Sequence, residues 1–190
     1  MMKLATIKDQ STLYNIFKQN KSIFPHIRTD YLKRQVNRKN VIFDDGVVIV
    51  KNEYKRQVTL NKKIFKKGTY IIHQIVNSIK GNGVAENILT RFLLDLQLNG
   101  VEKCILTVRE SNIRARRFYK RLGFRKVDTI SWSNNKIKGI VYSISLTPKR
   151  MIGISIEMLR SYRNKGVEIN DTIRKAGADS FLRNIYKVIR

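Results

Sequence analysis

Apolar residues recur along the chain at two spacings. Runs rich in β-branched and aromatic residues fall at 41–43, 47–50, 58–60, 64–65, 70–76, 105–108, 127–132 and 137–146, and each predicts a strand. Spacings of three and four predict helices carrying Leu13, Ile16 and Phe17; Tyr31, Leu32 and Val36; Ile88 through Leu98; and Ile113, Phe118 and Leu122. Asp45-Gly46 between the first two runs predicts a hairpin turn, and Asn61-Lys62-Lys63 a second. Residues 3–7 predict an opening strand, with Ser11 capping the first helix and Thr29 or Asp30 the second.

After Pro148 the pattern changes. Residues 151–190 read as three short helices with Gly166 and Gly177 between them. We therefore divide the chain at 1–148 and 149–190. The tail resembles a helix-turn-helix module, and VEINDTIRKAGA resembles the first helix and turn of resolvase-like modules. Lys175, Arg183 and Lys187 would then face nucleic acid. A helical cap on the first domain fits the same pattern.

Two stretches carry the chemistry. In the first, a strand leads into Lys80-Gly81-Asn82-Gly83-Val84-Ala85, a glycine-rich turn that opens a helix. Glycines let the backbone approach an anion, and the first N–H groups of the helix face it. In the second, Asn112, Ala115, Tyr119, Gly123 and Phe124 satisfy N-x-x-A-x-x-x-Y-x-x-x-G-F. Together these resemble the cofactor turn and the last block of the GNAT N-acetyltransferase superfamily, with Lys80 where relatives carry Gln or Arg. The resemblance covers residues 1–148. It implies an α/β (α+β) fold with a mixed, mostly antiparallel central sheet flanked by helices. It also implies acetyl-CoA, or another acyl-CoA, held by Lys80 to Ala85 and Asn112. Ile75 or Val76 would offer a backbone N–H to the thioester carbonyl, and Tyr119 would be the general acid. His73, where many relatives place Glu, is a candidate base, although a lone strand histidine is as often structural. No metal is implied.

Charge bears on the acceptor. The chain has 39 Lys and Arg against 14 Asp and Glu, a net charge of +25. Eight basic and four acidic residues in 151–190 leave +21 on the first 150. A field of that strength attracts polyanions, nucleic acid first among them. Arg114, Arg117 and Arg121 recur at three- and four-residue steps as one stripe, and Trp132 in the last hairpin is a candidate platform for an extruded base. We expect an N-acyltransferase acting on nucleic acid, with DNA bases favoured over RNA, similar to phage Mom-type DNA-modification proteins. Transfer to tRNA, aminoacyl-tRNA or protein is the alternative, and a DNA-binding regulator with an inactive core the second. Cys104, the one cysteine, reads as a core residue and excludes a disulfide framework. With no apolar run of signal or membrane-spanning length, we expect a cytoplasmic protein, in the host if phage-encoded. Oligomeric state is left open.

Overall fold

Asp45 and Gly46 both take positive φ, 45° and 72°, as a two-residue primed turn requires. They join β1 (Val41–Asp44) to β2 (Val47–Glu53) as an antiparallel hairpin. The computed structural model describes residues 3–25, 27–78 and 83–147. The expected helix-turn-helix module at 149–190, with Lys175, Arg183 and Lys187, lies outside the described residues.

A six-stranded sheet in the order β1-β2-β5-β6-β8-β7 organises the described residues. Its other members are β5 (Tyr70–Asn77), β6 (Lys103–Arg109), β7 (Arg125–Trp132) and β8 (Ile137–Ser145). Only β5 and β6 run parallel; the other neighbours are antiparallel. This is the mixed, mostly antiparallel sheet that the resemblance implied.

Both faces of the sheet are covered. On one, α3 (Val84–Leu98) buries Ile88, Leu89, Phe92, Leu93 and Leu96 against Ile72, Leu106, Val108, Ile140 and Tyr142, and α4 (Ile113–Arg121) packs the half-buried Ala115, Phe118 and Tyr119 on the same cluster. On the other, α1 (Gln10–Gln19) and α2 (Thr29–Asn37) bury Leu13, Phe17, Leu32 and Val36 against Val48, Val50 and Val76. The rest of that second face is covered by a separate hairpin, β3 (Val58–Leu60) and β4 (Lys63–Phe65), whose Phe65 packs on Ile71, Ile105 and Val141. Each buried side chain of this size contributes roughly 1.5–3 kcal/mol by leaving water.

Three local expectations are corrected. Residues 3–7 form an isolated bridge, Leu4 to Ile42, rather than a strand. The Thr6 N–H and hydroxyl both donate to the Asp9 carboxylate at 2.8 Å, which turns the chain into a short 3-10 helix over Ile7–Asp9. That helix runs directly into α1, so Ser11 lies within α1 rather than at its cap. Arg28 is the N-cap of α2, and Thr29 and Asp30 lie in its first turn.

Candidate active site

β5 and β6 stay together for three residue pairs and then part. The paired residues are Tyr70 with Cys104, Ile71 with Ile105 and Ile72 with Leu106. Beyond them β5 continues along β2 to Asn77, and β6 continues along β8 to Arg109. The result is a gap in the middle of the sheet, edged by backbone that has left its ladder.

Register decides which groups face the gap. The Ser78 N–H donates to the Gly46 carbonyl at 2.9 Å, on the side of β5 that faces β2. Backbone direction alternates along a strand, so Val76 and Gln74 also face β2, paired with Val48 and Val50. Ile75 faces away, into the gap. Of the two expected N–H donors, Ile75 is therefore the one aimed at the gap, and Val76 is corrected: its N–H belongs to the β2 ladder.

The same ladder contains a bulge. Gln74 pairs with Val50 and Ile72 with Lys51, so His73 is an extra residue. Its Nε2 lies 3.2 Å from the Asn52 Nδ2. His73 is exposed at the gap, and partial desolvation by the protein packed beside the ring holds its imidazole below its ordinary pKa. Beside it, the Tyr31 hydroxyl of α2 donates to the Gln74 Oε1 at 3.1 Å, and burial raises the Tyr31 phenol. The α1–α2 face of the gap thus carries His73, Asn52, Gln74 and Tyr31.

Tyr119 approaches from the opposite face, on α4. The Asn112 Oδ1 accepts the Ala115 N–H at 3.0 Å and caps the helix N-terminus. At the other end Gly123 takes φ 86°; its N–H reaches the Lys120 carbonyl at 2.9 Å, and the Phe124 N–H reaches the Tyr119 carbonyl at 3.0 Å. That is a Schellman motif. The Phe124 and Tyr119 rings meet edge-on at 5.8 Å, and Phe118 meets Tyr119 at 5.3 Å. Burial pushes the Tyr119 phenol far above its usual pKa, so it remains a proton donor at every physiological pH. The spacing of the sequence block is thus cap to cap, with Tyr119 clamped between. Ile113, read from the sequence as a core position of this helix, is 55% exposed.

Of the anion turn, Lys80, Gly81 and Asn82 lie outside the described residues. The start of α3 suits an anion. Gly83 takes φ 71° as the N-cap of α3 and brings no side chain to it. The N–H groups of Val84, Ala85 and Glu86 therefore have no intrahelical acceptor. Glu86 would oppose an anion there, but the Arg121 guanidinium pairs with its carboxylate at 2.8 Å.

Several candidate residues serve structure instead. Arg121 is not part of a free stripe: it binds Glu86 and lies over the Phe118 ring. Arg116 donates to the Glu110 carbonyl at 2.8 Å. Arg114 and Arg117 are exposed and without an ion pair among the described residues. A Cβ on Gly139 would meet two atoms of the Trp132 ring at 2.3 Å, so the indole lies on the bare Cα of Gly139 rather than projecting as a platform. Cys104 is fully buried with its thiol pKa raised, as a core residue should be.

Asn52, Gln74 and Tyr31 had no signal in the sequence. Alternation from Val50 could have placed Asn52 on the α1–α2 face, but contact with His73 depends on the bulge.

Comparison with known proteins gives this geometry its family. Residues 29–146 match the family model described as an acetyltransferase (GNAT) domain. No curated protein sequence matches the chain. Among solved structures, Ard1 from Thermoplasma volcanium is similar at TM-score 0.62 and 17% identity, covering 77% of this chain and 97% of that one. The ribosomal-protein-S18-alanine N-acetyltransferase from Escherichia coli is similar at TM-score 0.55 and 15% identity, covering 77% and 94%. NAA60 from Arabidopsis thaliana, in complex with a bisubstrate analogue, is similar at 0.56 and 16%, covering 77% and 99%. These likenesses carry the fold and not the acceptor, and they lend no support to the phage Mom-type branch. The family match spans more than half of the 190 residues, and the chain belongs to the GNAT acetyltransferases, enzymes that transfer an acetyl group from acetyl-CoA to an amine nitrogen.

Proposed function

We propose that the acceptor is an amine carried by a nucleic acid. The observation that supports this most is charge: +19 of the net +25 belongs to residues 1–148, the acetyltransferase domain itself. A solubility requirement is met by far less, and a chain so basic binds polyanions before anything else. The preference for DNA rests on the tail at 149–190, outside the described residues. Charge alone fits DNA and RNA equally, so the reading is a nucleic-acid amine, on a base or on an aminoacyl end.

Acetyl-CoA supplies the activated acyl group. The α3 N-terminus at Gly83 to Glu86, relieved of its carboxylate by Arg121, suits the cofactor's pyrophosphate. Asn112 keeps its Nδ2 for the cofactor, since its Oδ1 caps the helix. The Ile75 N–H donates to the thioester carbonyl as negative charge develops there. As the amine nitrogen bonds to the carbonyl carbon and the carbon–sulfur bond breaks, Tyr119 protonates the departing sulfur and is reprotonated from solvent. His73 removes the amine proton and passes it to solvent. Donor and acceptor then approach the gap from opposite faces, Tyr119 on one and His73 on the other.

The test is mass analysis of nucleosides and aminoacyl-tRNA from cells expressing the chain or its Tyr119→Phe variant. An acetylated species present only with the wild type is expected. Nucleic acids unchanged while a protein amine is acetylated would overturn the reading and install a protein acceptor.

A further inference from the structure

We propose that the β3–β4 hairpin is a docking arm for the phosphate backbone of a nucleic acid, placed beside the acceptor face of the gap. This rests on the nucleic-acid reading above and assigns it a surface. Residues 54–68 contain Lys55, Arg56, Lys62, Lys63, Lys66 and Lys67 and no acidic residue. All six are exposed. Lys55 pairs with Glu53; the other five have no ion pair among the described residues.

The arm is rigid rather than a solvated loop. Phe65 is 1% exposed and packs with Tyr54, Leu60 and Ile130 over Ile71 and Ile105. Its tip is gripped by Asp128, whose carboxylate accepts the Asn61 Nδ2 at 3.1 Å, the Lys62 N–H at 2.9 Å and the Thr129 N–H at 2.8 Å. The carboxylate at the tip is thus engaged in holding it. The outward pair of the hairpin is Thr59 and Ile64, and Ile64 is 55% exposed among the lysines, an apolar spot suited to a sugar or base face.

Position gives the arm its purpose. Ile71 and Ile105, on which Phe65 sits, form the residue pair next to Ile72 and Leu106, the last before β5 and β6 part. His73 comes immediately after, on the same face. A strand held by the arm would run past the acceptor side of the gap, and ordered side chains lose less freedom on binding than mobile ones.

The experiment titrates labelled tRNA and a labelled DNA duplex with the full chain at several salt concentrations. One variant carries Lys62→Gln, Lys63→Gln, Lys66→Gln and Lys67→Gln. A control removes the same charge from exposed residues of α1, α2 and their flanks, by Lys18→Gln, Lys21→Gln, Lys33→Gln and Arg38→Gln. Each phosphate that a variant no longer neutralises should flatten the log–log salt slope by roughly 0.9 on duplex or 0.7 on a single strand. We expect the arm variant to bind at least about tenfold more weakly, with a slope flattened by two or more phosphates, and the control to change clearly less. Equal effects in both variants, or none in the first, would overturn the arm while leaving the nucleic-acid reading standing. Wild type that binds neither probe would overturn both. Circular dichroism checks folding, and Lys66→Glu with Lys67→Glu replaces the fourfold variant if it does not fold.

Discussion

Asn52 holds the His73 ring by its Nε2, at 3.2 Å, across a bulge that sequence spacing does not reveal. With Nδ2 donating, the neutral ring carries its proton on Nδ1. The amide turned over presents Oδ1 instead, fixes the Nε2–H tautomer and leaves Nδ1 as the base. Partial desolvation lowers the pKa of the exposed His73 ring. The penalty therefore falls on the protonated form: the group favours folding above the unfolded value near 6.5, and that contribution is lost as pH falls below it. The acid limb of kcat/KM should lie below about 6.5. Asn52→Asp puts a carboxylate beside the ring and should move that limb upward, whereas His73→Gln should cost about 10²–10⁴-fold and remove it. A limb unmoved by Asn52→Asp would take the proton transfer away from His73.

Tyr119→Phe keeps the ring that packs on Phe118 and Phe124 and removes only the proton donor. We expect kcat to fall by roughly 10²-fold or more with KM for acetyl-CoA nearly unchanged and little loss of stability. Steady-state kinetics and a melting curve measure both. Unchanged turnover would mean that solvent protonates the sulfur.

Gly123 at φ 86° should resist any side chain. Gly123→Ala is expected to cost about 1–2 kcal/mol through the left-handed conformation, and Asn112→Ala about 1 kcal/mol through removal of the cap. Both should also lower kcat, because each loosens an end of the helix that carries Tyr119. Denaturant midpoints and kcat measured on the same samples test the coupling.

Trp132 is the only tryptophan, so its emission reports on its contact with Gly139. Gly139→Ala must push the ring away from a Cβ 2.3 Å from it. The displacement should cost about 1–3 kcal/mol and red-shift the spectrum. Emission unchanged in this variant would contradict the stacked geometry.

Gly83→Asp should abolish acetyl-CoA binding, since it sets a negative charge at the α3 N-terminus and forces a side chain onto φ 71°. Calorimetry of the folded variant measures it.

What the sequence made legible was what short-range chemistry encodes. Asp45-Gly46 announces its turn because few other pairs tolerate two positive φ angles. Asn112, Gly123 and Phe124 are visible because they are caps, whose partners lie within a few residues. Ile75 could not be separated from Val76, since which one faces the gap depends on the β2 register. Asn52 with His73, Tyr31 with Gln74, and Glu86 with Arg121 join residues 21, 43 and 35 apart, which no local pattern relates. Trp132 reads as a platform in sequence because its partner is an absence, the missing Cβ of Gly139. The basic hairpin is visible only as two short strands; that it covers the sheet beside His73 depends on Phe65.

Incubation of the full chain with radiolabelled acetyl-CoA and, separately, aminoacylated tRNA, duplex DNA and a protein extract decides whether the acceptor amine is carried by a nucleic acid. Label should enter a nucleic acid, tRNA or DNA, at a rate that collapses in Tyr119→Phe and falls steeply with salt. Label confined to protein, with both nucleic acids inert at low salt, would contradict it.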